Sequence, residues 1–221
     1  MKVGIVRFPG SNRDREALHA VQDAGHDASL IWHRSTDLEG ADLLILPGGF
    51  SYGDYLRPGA IARFSPVMQA VTKHAAAGRP VLGICNGFQI LCEANLLPGQ
   101  LVRNASLAFV SKMVSVRVES DATPFTAGYR VGQELRLPVA HGDGRYVADD
   151  PTLDRLERDG RVVFRYVPQS PNGAMHDIAG ITNEGHNVVG LMPHPECAVD
   201  ALTGSADGAA MFAPAALAAA L

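Results

Sequence analysis

The first half of the chain alternates short apolar runs with segments of helical periodicity, and this alternation constrains the fold most. "KVGIVRF" (residues 2–8) and "PVLGI" (residues 80–84) are almost continuously apolar, as expected for parallel strands that are covered on both faces. Each run is followed by a segment whose apolar residues recur at helical spacing, "SNRDREALHAVQDAG" and "GFQILCEANLL" respectively. Strands that alternate with helices predict right-handed crossovers and an open, mostly parallel sheet.

The remaining segments extend this α/β pattern. Ser11 or Asn12 is a candidate N-cap of the first helix, and Pro66 should begin a second helix that ends at Gly78. An alanine-rich helix is expected at the end of the chain. Further strands are expected at "ASLIW", "DLLILPGG", "FVSKMVSVRVES", "RVVFRYV" and "NVVGLM", with a short capped helix at "PTLDRLERDG". The segment "ELRLPVAHGDGRYV" should be a strand that leads into a glycine-rich loop.

Length and composition favour one domain over two. A chain of 221 residues with 47% hydrophobic side chains can bury a substantial core. The sequence contains no repeat, low-complexity tract or linker at which it would divide. We therefore expect residues 1–221 to form a single three-layer, flavodoxin-like α/β domain.

Charge and cysteine usage exclude several classes of partner. A formal net charge of -4 and the lack of a Lys/Arg cluster argue against nucleic acid or an anionic membrane surface. The first residues lack the length and cleavage site of a signal peptide, and no apolar run reaches the roughly 18 residues of a membrane span. Three cysteines without CxxC spacing suit a reducing compartment. We expect a cytoplasmic protein.

Cys85 lies between Gly83 and Gly87 at a predicted strand-to-helix turn. Glycines permit a sharp reversal there, and the turn places the sulfur beyond the carboxyl end of the strand, where open α/β sheets place their sites. The positive end of the next helix favours a thiolate. These residues alone also allow a second interpretation, in which Cys85 is a small buried hydrophobe like Cys92.

The segment "LMPHPE" supplies a candidate partner for a thiolate. A nucleophile needs a base that is itself held in place, and His194 lies between two prolines that restrict its backbone. In an extended segment, residues two apart project to the same side, so His194 and Glu196 should point together. Glu196 could then fix the tautomer of the imidazole and stabilise its charged form. The alternative for a lone histidine is a packed or surface residue.

Other chemistry finds less support in these residues. A metal site at Cys85, His194 and Glu196 is conceivable, but no second pair of Cys or His residues has ligand spacing. Gly48 and Gly49 end a strand in "LPGG", where backbone N–H groups could bind an oxyanion together with that of Asn86. Neither a GxGxxG nor a Walker A sequence is present, so nothing indicates a bound nucleotide.

With these segments together, the chain resembles the class I glutamine amidotransferases. "GICNGFQIL" and "MPHPE" carry this resemblance, which covers essentially the whole chain. The motifs "FPGSNRDRE", "LPGGFSYGDYLRPGAIA", "HGDGRY" and "SPNG…IAGITNE" resemble more narrowly the family of glutaminase subunits of phosphoribosylformylglycinamidine synthase. The chain departs from that pattern at Asp143, where a glutamate is expected, and at Cys197, where an arginine often follows the glutamate.

The resemblance implies a glutaminase. Cys85 would attack the side-chain amide of glutamine and release ammonia, with His194 and Glu196 completing the triad. The backbone N–H groups of Gly49 and Asn86 would form the oxyanion hole. By the same resemblance, Gln89 would help to hold the substrate, and the "HGDGRY" loop with His141 would contact the substrate or the partner.

The resemblance also implies partners, because released ammonia is useful only if an acceptor receives it. A large synthetase subunit would use ATP and Mg²⁺ to aminate formylglycinamide ribonucleotide, and a small bridging subunit would complete the complex. This chain itself would bind neither a cofactor nor a metal. The segment "FSYGDYLRPGA", with Tyr52, Tyr55 and Arg57, has the composition of an interface anchor, or else packs around the site.

Two rival functions follow from the same residues. A cysteine hydrolase or peptidase on the same sheet would need no ATP-dependent partner. A flavodoxin-like binding module would leave Cys85 inert. Stoichiometric capture of Cys85 by a glutamine-mimicking diazo-ketone distinguishes the glutaminase from the binding module.

Overall fold

The computed structural model describes residues 1–213. Four α-helices lie within this range: α1 (Asp14–Asp23), α2 (Pro66–Ala76), α3 (Asn86–Glu93) and α4 (Asp150–Arg158). The same range contains eleven strands: β1 (Lys2–Arg7), β2 (Asp27–Trp32), β3 (Leu43–Leu46), β4 (Val81–Ile84), β5 (Gln100–Val102), β6 (Val110–Val118), β7 (Glu134–His141), β8 (Arg145–Val147), β9 (Val162–Val167), β10 (Ile178–Thr182) and β11 (Val188–Leu191).

Nine of the strands between residues 1 and 213 form one sheet in the order β2-β1-β3-β4-β11-β10-β9-β6-β7. The five strands from β2 to β11 run parallel to one another, whereas the pairings from β11 onward to β7 are antiparallel. The short strands β5 and β8 pair separately. The predicted parallel sheet is therefore the half that contains the first strands, and the segments in the middle of the chain supply the antiparallel half.

The centre of the parallel half is buried on both faces. Every residue of β3, β4 and β11 is buried, which matches their continuous apolar sequences. Parallel strands end at the same edge of a sheet, so the loops after β1, β3, β4 and β11 meet there. This edge brings together segments that are far apart in the sequence.

The start of α1 differs from the prediction. Neither Ser11 nor Asn12 caps the helix; the residue before it is Arg13, which forms no capping hydrogen bond through its side chain. The hydroxyl of Ser11 instead accepts a bond from the N–H of Phe8, and the N–H groups of Asn12 and Arg13 donate to the carbonyl of Gly48. The loop after β1 is thus held by the loop after β3 rather than by its own helix.

Other predicted elements are present with small shifts in their bounds. The helix expected from Pro66 begins there, and the short helix α4 is capped by the carboxylate of Asp149, which accepts from the N–H of Thr152. Strands β5 and β10 were not predicted from the sequence. The alanine-rich helix predicted at the end of the chain falls on residues 214–221, outside the described residues.

Candidate active site

Cys85 occupies the turn between β4 and α3. Its backbone has φ 51° and ψ -103°, a left-handed conformation that is unusual for a residue with a side chain. Strained backbone of this kind persists only when the surrounding structure enforces it. The turn places Cys85 directly at the N-terminus of α3.

The two glycines around Cys85 are required by close packing. A Cβ on Gly83 would lie 2.8 Å from the backbone of Gly87. A Cβ on Gly87 would overlap the carbonyl oxygen of Leu46, at the end of β3. The first turn of α3 therefore lies directly against the neighbouring strand, and this packing enforces the conformation of Cys85.

His194 and Glu196 meet after the end of β11, as the sequence predicted. Nδ1 of His194 lies 2.6 Å from Oε1 of Glu196, and both side chains are buried. The predicted reason for their meeting was wrong, since Pro195–Cys197 forms a 3₁₀ turn rather than an extended segment. A proline at the first position of the turn has the φ that such a turn needs.

The charged form of His194 is favoured despite its burial. Removal from water lowers the pKa of the imidazole, but the nearby carboxylate of Glu196 and the sulfur of Cys85 outweigh this effect and raise it above its ordinary value. Within residues 1–213 the second ring nitrogen, Nε2, has no hydrogen-bond partner. His194 and Cys85 line one cavity of about 260 Å³, so the imidazole and the thiol face the same space.

The backbone after β3 packs against His194. A Cβ on Gly48 would lie 2.7 Å from Cε1 of His194, so only glycine lets the ring occupy its position. Gly49 lies equally close to the loop after β1, since its Cβ would be 2.7 Å from Cα of Ser11. The backbone at this glycine pair is therefore closely packed: Gly48 lies against the imidazole of His194, and Gly49 lies against the loop after β1.

Gly49 and Asn86 present the amides that the sequence suggested for an oxyanion hole. Gly49 and Cys85 line the same two cavities, and Asn86 follows Cys85 in the chain. Neither amide donates a hydrogen bond to another atom of the described chain. Two backbone amides without a partner beside a cysteine could donate to an incoming acceptor, so the predicted oxyanion hole stays a prediction.

The side chain of Asn86 begins a chain of hydrogen bonds across the site. Its Oδ1 accepts from the N–H of Ser51, and its Nδ2 donates to Oε1 of Gln89 at 2.9 Å. Nε2 of Gln89 in turn donates to the carbonyl of Asp143 at 2.7 Å. Gln89, predicted to hold substrate, thus joins α3 to the "HGDGRY" loop while its side chain also lines the cavity beside Cys85.

His141 lies in the wall of that cavity. Its Nδ1 is 3.2 Å from Oδ1 of Asn104, whose Nδ2 donates to the carbonyls of Ala108 and His141. Burial and the proximity of His194 lower the pKa of His141 to about 4, so this imidazole is neutral. Asn104 was not singled out in the sequence, and an asparagine in a loop carries no signal that would have found it.

The other two cysteines have different surroundings. Cys92 is buried in α3, and burial raises the pKa of its thiol, which agrees with a packing role. Burial and the charge of Glu196 raise the pKa of Cys197 to about 12. Within residues 1–213, ligand atoms of His194, Glu196 and Cys197 lie within 4.8 Å of one another, a spacing that could hold a metal ion.

The exposed segment after Gly49 divides into two parts. The hydroxyl of Tyr52 is hydrogen-bonded to His33 and Ser65, which makes Tyr52 part of the internal packing. Tyr55 is 73% exposed, and Arg57 is exposed but pairs with Glu93. The interface prediction remains open for Tyr55 and Arg57, whereas Tyr52 holds the loop in place.

Comparison with known proteins identifies the class. A family described as the CobB/CobQ-like glutamine amidotransferase domain matches residues 1–211. The chain belongs to this family of glutamine amidotransferases, as the motifs around Cys85 and His194 predicted.

More specific relatives share most of the chain. Phosphoribosylformylglycinamidine synthase subunit PurQ of Rubrobacter xylanophilus is 61% identical over 208 residues, covering 94% of each protein. The protein of the same name from Thermus thermophilus is 57% identical, covering 96% of each. A solved structure described as PurLQS from Thermotoga maritima has a TM-score of 0.89 at 44% identity, covering 99% of this chain and 97% of that one. The predicted fold class and the narrower resemblance to these glutaminase subunits are confirmed.

Within residues 1–213, no helix is both long enough and apolar enough to cross a bilayer.

Proposed function

We propose that Cys85, His194 and Glu196 hydrolyse glutamine to glutamate and ammonia, and that the ammonia serves phosphoribosylformylglycinamidine synthesis in purine biosynthesis. The observation that carries this proposal is the buried imidazole of His194, bonded to Glu196 on one side and facing the cavity with Cys85 on the other. The sequence relatives named PurQ support the particular pathway.

The first half of the reaction forms a thioester. The Cys85 thiolate attacks the side-chain amide carbon of glutamine, and the carbonyl oxygen becomes an oxyanion. The free amides of Gly49 and Asn86 would donate to this oxygen as its charge develops. His194, held as an imidazolium by Glu196, then gives its proton to the leaving nitrogen, and ammonia departs.

The second half regenerates the thiolate. His194, now neutral, takes a proton from water, and the resulting hydroxide attacks the thioester carbon. The second oxyanion uses the same two amides, and its collapse releases glutamate and the Cys85 thiolate. Glu196 keeps the proton on Nδ1 throughout, so that Nε2 exchanges protons with the reacting groups.

Ammonia needs an acceptor on another chain. The Thermotoga maritima structure named PurLQS supports assembly with a large synthetase subunit and a small third subunit. We infer that ATP and Mg²⁺ act on the synthetase, and that residues 1–221 serve as a single glutaminase domain in the cytoplasm. The exposed Tyr55 and the neighbouring Leu56, which is 88% exposed, are candidates for the contact surface.

Capture of the nucleophile tests the function. A diazo-ketone analogue of glutamine should label the complex stoichiometrically at Cys85 and stop glutamine-dependent synthesis. Excess glutamine should protect against labelling, whereas an amino acid of different length should not. Absence of labelling at Cys85, in a complex that still uses ammonia, would contradict the proposal.

A further inference from the structure

The cavity beside Cys85 has an unusual set of charges. It measures about 200 Å³, below the roughly 300–1,000 Å³ of pockets for drug-sized ligands, and so suits a free amino acid. Two carboxylates and one guanidinium line its wall together with Cys85: Asp54, Asp143 and Arg103. Asp54 comes from the loop after β3, Asp143 from the loop after β7 and Arg103 from the segment after β5.

None of these three charges has a protein partner. Throughout the part of the chain that the structure describes, no ion pair or side-chain hydrogen bond involves the Asp54 carboxylate, the Asp143 carboxylate or the Arg103 guanidinium. Oδ1 of Asp54 is moreover buried without a partner. Arg57, on the same loop as Asp54, is by contrast paired with Glu93. Asp54 and Asp143 are partly shielded from water, whereas Arg103 is exposed. Carboxylates that are shielded from water are normally paired, so these two unpaired carboxylates beside a cavity point to a ligand that carries a positive charge.

An independent observation concerns His141, which is 3% exposed and lines the same cavity. Both N–H groups of the Asn104 amide are used on carbonyl oxygens, so its Oδ1 must accept and Nδ1 of His141 must donate. Nε2 of the neutral imidazole is then an acceptor, and it is buried without a partner. A buried acceptor in the cavity wall is available to a ligand that carries N–H groups.

We propose that Asp54 and Asp143 bind the α-ammonium group of the substrate glutamine and that Arg103 binds its α-carboxylate. This assignment rests on the proposed glutaminase function, because it places the side-chain amide of the same molecule at Cys85. The three residues are specificity-determining: they select a zwitterionic amino acid and take no part in proton transfer.

In this arrangement each charged group of the substrate faces side chains of the opposite sign. One ammonium offsets the repulsion between the two carboxylates, and one carboxylate neutralises the arginine. Burial and the charge of Asp143 raise the pKa of Asp54, so the two carboxylates repel one another and a cation between them would relieve this repulsion. The α-carbon end of the substrate is then fixed, and the reactive side-chain amide at the other end lies near Cys85.

Truncated substrates test each contact separately. The assembled complex would be assayed with L-glutamine, with glutaramic acid, which lacks the α-amino group, and with 4-aminobutanamide, which lacks the α-carboxylate. Asp54→Asn should lower kcat/KM for L-glutamine by about 10- to 100-fold, the effect of losing a hydrogen bond to a charged group, and leave that for glutaramic acid unchanged. Arg103→Gln should affect L-glutamine and glutaramic acid but leave 4-aminobutanamide unchanged.

Two controls keep the outcomes distinct. Asp154→Asn, at an exposed position on α4, should change none of the three values. Ammonia-dependent synthesis should be unchanged in all variants, which would show that folding and assembly are intact. If the wild-type complex hydrolyses glutamine but Asp54→Asn affects every substrate equally, or none, the charge assignment is wrong. If the wild-type complex uses ammonia but never hydrolyses glutamine, the proposed function itself fails.

Discussion

The imidazole of His194 and the carboxylate of Glu196 are joined by a 2.6 Å hydrogen bond, and both side chains are buried. The second carboxylate oxygen, Oε2, is buried and has no partner in the described chain. Glu196 therefore has His194 as its principal stabilising contact, and each group supports the charged state of the other.

Replacement of this carboxylate should change the titration of the site. In Glu196→Gln the pKa of His194 should fall, because the negative charge that opposes the effect of burial is gone. We expect kcat to decrease by about 10²- to 10⁴-fold, as in other triads that lose the group behind the histidine. The measurement is the pH dependence of Cys85 alkylation, whose plateau should begin at higher pH in the variant. An unchanged pH profile would mean that Glu196 does not control His194.

Removal of the nucleophile should distinguish synthesis that uses glutamine as the nitrogen source from synthesis that uses free ammonia. Cys85→Ala should abolish glutamine-dependent synthesis by the complex and retain the ammonia-dependent reaction, because the amination of the acceptor takes place on the synthetase. Both rates are measured on the same preparation. Loss of both activities would assign Cys85 to the fold or to the subunit contact instead.

The glycine beside the imidazole can be tested by a single methyl group. Gly48→Ala would place a Cβ 2.7 Å from the ring of His194, and a displacement of the ring by about 1 Å should reduce kcat about 100-fold. Gly78→Ala is the matched control, since its Cβ meets open space but its φ of 77° strains an alanine. This control should lower the melting temperature and leave kcat unchanged. Equal loss of activity in both variants would exclude a specific effect on His194.

The pH dependence of Asp54 has a definite sign. Burial, with the charge of Asp143, raises its pKa from 3.8 to about 6 in the folded protein. The native state therefore binds a proton more tightly than the unfolded state, so the contribution of Asp54 to stability decreases as pH rises from about 4 to 6. Asp54→Asn should raise the melting temperature at pH 7 and reduce this dependence. An unchanged melting temperature would show that Asp54 is well solvated.

Substrate binding should follow the opposite trend. If Asp54 binds an ammonium group, the KM for glutamine should increase as the pH falls from 7 to 5 and Asp54 becomes protonated. In Asp54→Asn, KM should already be high and should lose that part of its pH dependence. The measurement is KM across this range in the complex, with ammonia-dependent synthesis as the reference for other titrating groups.

Docking of the synthetase should control the rate. Gly49 contributes one of the two free amides, and it lies at the start of the loop that leads to the exposed Tyr55. We expect the isolated chain to hydrolyse glutamine slowly and the complex to do so faster, because contact with this loop would align the amide of Gly49. The test is to measure glutaminase rates with and without the synthetase. Equal rates would contradict activation by docking.

The sequence predicted most of the parallel half of the fold because β1, β3, β4 and β11 are almost continuous apolar runs, and helices follow β1 and β4 directly. It did not predict β10, whose five residues are all buried and give no periodicity. The N-cap of α1 was assigned wrongly because a contact with Gly48, from a distant segment, replaced the local capping bond.

Site residues that belong to one short sequence motif could be predicted from the sequence. Site residues that come together only in the folded chain could not. Cys85 has its glycine frame beside it, and His194 and Glu196 are two residues apart. Asp54, Asp143 and Arg103 carry no such pattern, since their common feature is a cavity wall that exists only in the folded chain. Asn104 likewise has a role only through its contact with His141.

The overlap that any side chain at Gly87 would create with the carbonyl of Leu46 has a further consequence. Helix α3 and the end of β3 cannot slide past one another, so the position of the Cys85 sulfur relative to the sheet is fixed. We therefore expect that a partner protein that activates the enzyme does not move Cys85 itself. Activation would instead change the conformation of the residues around the Cys85 thiol, such as the loop that begins at Gly49.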